Sequence, residues 1–79
     1  MNKKIIGVIA LDPFAGKAYA DQVRQVFGSR AAVRNYSVMD KTAENMERCD
    51  LYMASTDAFD AMKTWPHGIP ADAQKLEIQ

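Results

Sequence analysis

Residues 9–23 read IALDPFAGKAYADQV, and the break inside this stretch decides the fold. Before it, Lys4 to Leu11 is a nearly continuous apolar run with β-branched side chains at Ile5, Ile6, Val8 and Ile9. A strand covered on both faces, as in a parallel sheet flanked by helices, has this composition. After it, Asp12 is a good helix N-cap and Pro13 a good first helical residue, because proline lacks only a donor that would go unpaired there. Tyr19, Val23, Val26 and Phe27 then recur at helical spacing on one face, and Gly28 can end the helix in a left-handed conformation. A buried strand running straight into a capped helix is the opening of an α/β unit.

The rest of the chain continues the alternation. Ala31 to Val38 predicts a second strand whose mixed polarity suits a sheet edge or one solvated face. Thr42 would cap a short helix, Ala43 to Arg48. Asp50 to Ser55, DLYMAS, predicts a third strand. Thr56-Asp57 would open a third helix carrying Phe59, Met62 and Trp65, with Asp57 favourable to the dipole and Pro66 as the stop. PHGIPADA is a loop, and Lys75 to Gln79 alternates as a fourth strand. The order β-α-β-α-β-α-β implies parallel pairing with right-handed crossovers: a flavodoxin-like or Rossmann-like α/β sheet in three layers. A doubly wound sheet seldom stops on its fourth strand. The expectation is therefore one α/β domain, residues 1–79, incomplete as a fold and the N-terminal fragment of a longer regulator.

Bulk composition narrows the function. The 79 residues carry ten basic and ten acidic side chains, with 48% hydrophobic and 25% charged residues, ordinary values for one globular domain. A chain this short buries only roughly 60% of its unfolded surface, which favours self-association. Zero net charge argues against direct nucleic-acid contact, where a basic excess supplies most of the affinity. The single cysteine, Cys49, excludes an intrachain disulfide and fits a reducing cytoplasm. The MNKKIIGVIALD start resembles a signal peptide only in its basic-then-apolar order. It lacks a small-residue cleavage site and reads as the first strand. No segment approaches the roughly 20 apolar residues of a membrane helix, so no membrane association is expected.

Ligands of open α/β sheets sit beyond the carboxyl ends of the strands, near helix N-termini. That places candidate ligand-binding residues after strand one (Asp12, Phe14, Gly16 and Lys17) and after strand three (Ser55 and Thr56). Capping alone also explains Asp12, Ser55 and Thr56. DPFAGK has neither the Walker spacing nor the GxGxxG fingerprint, so no cofactor is expected. Cys49 precedes strand three, at the end of the sheet away from ligands, and reads as a structural thiol. His67 is the only histidine and sits in a loop. No His, Cys and acid grouping has metal-ligand or nucleophile spacing, so no catalytic residue is assigned.

KKIIGVIALDPFAGKAYADQVRQVFG followed by DLYMASTDAFDAM resembles the N-terminal sensory domain of bacterial sigma-54-dependent transcriptional regulators of the propionate-regulator type. The resemblance implies a flavodoxin-like unit that detects a small effector and controls a downstream ATPase, the ATPase and DNA-binding parts lying outside this sequence. A full sensory domain of that type is about twice as long. The expectation is a non-catalytic, cytoplasmic module that binds a small anionic effector and self-associates. A phosphotransfer protein of receiver or sugar-transporter IIB type is the enzymatic alternative. Against it, only one acid follows strand one, that loop has no cysteine, and the accepting position on strand three falls nearer Ser55 than Asp57. A structural dimerisation module is the third.

Overall fold

The computed structural model describes residues 3–65 and 68–78. Strand β1 (Lys4–Ala10) leads into helix α1 (Pro13–Phe27), and β2 (Ala31–Ser37) follows a short 3-10 turn. Then come a second 3-10 turn (Thr42–Asn45), β3 (Leu51–Ser55), helix α2 (Thr56–Met62) and β4 (Gln74–Ile78). Among the described residues the four strands form one sheet, ordered β2-β1-β3-β4, with every pairing parallel. This is the expected three-layer α/β architecture.

The run that predicted a strand covered on both faces is an interior strand, and Ile6 through Ala10 are all buried. Alternation divides its side chains between two cores. Ile6 and Val8 pack with Ala20 and Val23 of α1 and with Ala31 and Val33 of β2. Ile9 packs on the other face with Tyr52 and Ala54 of β3 and Ala58 and Met62 of α2. Strand β2 lies at an edge, which accounts for its mixed polarity.

Helix α1 begins and ends where its capping residues predict. The Asp12 carboxylate accepts the Ala15 N–H at 2.8 Å, and Pro13 takes the first position. Gly28 closes the helix with φ of 57°, a conformation that disfavours any residue with a Cβ. One residue of the expected buried stripe departs from it. Val26 is 68% exposed, because α1 crosses over β1 and β2 and leaves this flank unmatched.

Three further expectations are corrected. The helix expected over Ala43 to Arg48 is only the 3-10 turn Thr42–Asn45, after which the chain is irregular to Asp50. Six residues cannot offset the cost of helix nucleation without strong packing, and Thr42 spends its hydroxyl on Ser37 and Asp40 rather than on a cap. The third strand begins at Leu51, with Asp50 tied to β1 by exchange of hydrogen bonds with Ile5 at 2.7 and 2.8 Å. Helix α2 ends at Met62, short of Trp65, which packs half-buried against the Tyr52 core from outside the helix. Asp57 does stand in the first turn of α2. Pro66 and His67, and the last residue of the expected fourth strand, Gln79, lie outside the described residues.

Candidate functional site

The strand order sets the geometry. Strands β1 and β3 are neighbours, with Ile9 opposite Ala54. From β1 the chain turns into α1 on one face of the sheet, and from β3 into α2 on the other. Adjacent strands whose connections leave to opposite faces open a crevice between their carboxyl ends, the switch point where open α/β sheets bind ligands. Both segments singled out in the sequence border this crevice.

The individual side chains are unequal. Asp12 caps α1, and its backbone oxygen also accepts the Gly16 N–H at 3.1 Å. Pro13 has no N–H and the Ala15 donor goes to Asp12, so the Phe14 amide is the first-turn donor without a partner among the described hydrogen bonds. The Phe14 ring is 86% exposed and belongs to neither core. Lys17 is a surface side chain at 4.0 Å from Asp21 one turn on, a contact too long and too solvated to hold it. Gly16 is buried where α1 lies against β2: a Cβ there would stand 2.5 Å from Oδ1 of the exposed Asn35 side chain, which can swing aside, and 3.4 Å from the Tyr36 carbonyl. Ser55 caps α2 by accepting the Ala58 N–H at 3.3 Å, and Thr56 is exposed beside it.

A third loop at the same rim, after β2, went unassigned in the sequence. The Ser37 hydroxyl donates to Asp40 Oδ1, which also accepts from the Thr42 hydroxyl at 2.9 Å and the Thr42 N–H at 3.2 Å. Thr42 Oγ1 in turn accepts the Ser37 N–H at 2.8 Å. The loop is stitched to the β1 exit by Val38 N–H to the Ala10 carbonyl at 3.0 Å and Met39 N–H to the Leu11 carbonyl at 2.8 Å. It carries Met39, 71% exposed, to the rim. The signal was the Ser, Asp and Thr content of SVMDKT, a turn composition rather than a capped helix.

Hydrogen bonds from Ser37 and Thr42 hold the Asp40 carboxyl below its usual range. A folded-state pKa below the unfolded value contributes stability above about pH 4, lost as the pH falls through the folded pKa. Asp40→Asn should therefore lower the melting temperature at neutral pH, with the gap to wild type closing in acid. Thermal melts across that range check this, and a gap independent of pH would contradict it.

Other features lie away from the rim. An open apolar groove of about 260 Å³ runs beside α1, lined by Tyr19, Val26, Phe27, Met53 and Ile78. Cys49 is buried at the opposite end of β3, and burial pushes its thiol pKa up, so a ready thiolate is not formed there. Among the described residues no group of three His, Cys, Asp or Glu side chains could hold a metal, and no helix is long and apolar enough to cross a membrane.

Comparison with known proteins gives no match: no family, no curated protein and no solved structure is significantly similar to this chain.

Proposed function

We propose that this chain is a signal-sensing regulatory domain that binds a small anionic effector at the β1–β3 rim and performs no chemistry on it. The observation that carries this is the switch point, where α1 and α2 leave adjacent strands for opposite faces. The residues there suit recognition rather than catalysis. Lys17 supplies a mobile positive charge, Phe14 an exposed apolar surface, and the Phe14 amide and Thr56 hydroxyl neutral donors. Asp12, Gly16 and Ser55 hold that arrangement in place. A small carboxylate carrying an apolar group fits these partners.

The domain then acts as the sensory part of a cytoplasmic transcriptional regulator, like the sigma-54-dependent family its sequence resembles, and leaves nucleic-acid contact to other segments. The effector would regulate by binding one of two states more tightly, since equal affinity shifts no equilibrium.

A thermal-shift screen against small carboxylates, phosphates and nucleotides tests this. At about 100-fold excess over Kd, a ligand specific to the folded state adds about 2.7 kcal/mol, or about 11–22 °C for a domain of this size. The expected result is a shift with a carboxylate that drops sharply in Lys17→Ala. No shift with any compound, or equal shifts in wild type and variant, would overturn the assignment. A stoichiometric phosphate adduct after incubation with acetyl phosphate would favour a phosphotransfer protein instead.

A further inference from the structure

We infer that the free edge of β4 pairs antiparallel with β4 of a second copy, about a two-fold axis at Leu76, to join two four-stranded sheets into one. The inference goes beyond effector binding and does not depend on it. Among the described residues strand β4 hydrogen-bonds to β3 alone, so one side of its backbone has no strand partner there. An open edge of this kind is a template for another strand, and a two-fold axis normal to the sheet makes the two edges antiparallel and self-complementary.

The charge pattern selects the register. Strand β4 reads Gln74-Lys75-Leu76-Glu77-Ile78. Antiparallel pairing centred on Leu76 sets Lys75 opposite Glu77 of the second copy, and Glu77 opposite its Lys75. Both side chains are exposed, and neither enters an ion pair among the described residues. Directly opposed unlike charges stabilise an antiparallel pair, and like charges destabilise it. On the other face Leu76, 52% exposed and in register with Met53, would meet Leu76 of the second copy, covering apolar surface next to the α1 groove.

The opposite edge lacks these properties. Centred pairing of β2 would place Arg34 against Arg34, and the carboxyl end of β2 is occupied where Thr42 Oγ1 accepts the Ser37 N–H. A five-residue edge forms a small interface, so the dimer belongs to the weak, concentration-dependent class.

Sedimentation equilibrium of the full chain from about 10 μM to 1 mM tests the inference, a span covering weak affinities. Wild type should pass from monomer to dimer. Glu77→Lys and Lys75→Glu, each creating two like-charge contacts per dimer, should each weaken the dimer at least tenfold, roughly the loss expected from two cross-strand pairs. Circular dichroism should stay native. The two single variants mixed should form a heterodimer, since one then carries two lysines and the other two glutamates at the edge. The double exchange K75E/E77K should dimerise like wild type. A monomeric wild type over the whole range would overturn the inference. So would dimerisation indifferent to these charges, which would move the contact elsewhere, with the groove beside α1 the next surface to test.

Discussion

Tyr52→Ala is expected to remove a large share of the stability of the domain. Tyr52 is 1% exposed and stands at the centre of the core between the sheet and α2, among Ile9, Ala54, Ala58 and Met62. Truncating a buried aromatic to alanine costs about 3–5 kcal/mol through lost transfer energy and the cavity left behind. At roughly 0.05–0.15 kcal/mol per residue the whole domain holds only about 4–12 kcal/mol, so this one change removes at least about a third of it and nearly all of it at the low end of the range. The hydroxyl has a separate task. It accepts the Cys49 N–H at 2.9 Å and faces the Glu47 carbonyl at 3.4 Å, closing the irregular segment that leads into β3. Tyr52→Phe keeps the ring and leaves a buried N–H without an acceptor, a penalty of about 1–3 kcal/mol. Urea titration of both variants separates packing from hydrogen bonding. Equal stability of Tyr52→Phe and wild type would contradict the assigned bond.

The second large effect falls at Gly7, in the middle of β1. A Cβ there would stand 2.8 Å from Cys49 Sγ and 3.6 Å from the Tyr36 and Tyr52 rings. The sulfur is buried and cannot swing into solvent, so Gly7→Ala forces a shift that costs about 1–3 kcal/mol, as overpacking usually does. The cause is one named contact, and that makes the prediction sharp. Cys49→Ala removes the sulfur and makes room, so G7A/C49A should be more stable than the sum of the two single effects, with a coupling of about 0.5–3 kcal/mol. Additive losses would mean that the glycine is required for another reason.

Gly7 also shows where sequence reasoning stops. Its neighbours announce an interior strand, because only a strand covered on both faces is apolar at successive positions. That the strand must also be thin at Gly7, to admit Cys49 from 42 residues along the chain, depends on tertiary approach and leaves no local trace. Helix α1 was legible at both ends for the converse reason. Asp12, Pro13 and Gly28 act through local backbone chemistry that needs no distant partner. The helix expected over Ala43 to Arg48 failed because Thr42 had two possible uses, a cap or a turn. The bond to Ser37 across five residues decided for the turn. Val26 fits its helical stripe and yet stays exposed, since periodicity reports which residues share a face and not whether anything covers that face.

The site divides in the same way. Its location was legible because chain order and parallel pairing dictate where the crevice opens. The division of labour within it was not. Asp12, Gly16 and Ser55 carry structural duties visible only from their hydrogen bonds and close contacts, whereas Phe14 and Lys17 have no comparable occupation. The loop from Ser37 to Thr42 is tied to the rim by its bonds to Ala10 and Leu11, which depend on the tertiary pairing.

The central claim is that the β1–β3 rim receives an anionic ligand, and an amide-resolved NMR titration of the nitrogen-15-labelled chain with small carboxylates tests it most directly. Saturable shifts concentrated at Phe14, Gly16, Lys17, Thr56 and Asp57, and weakened in Lys17→Ala, are the predicted result. Saturable shifts confined to the groove residues Tyr19, Val26, Met53 and Ile78, or no saturable shift at the rim, would contradict it.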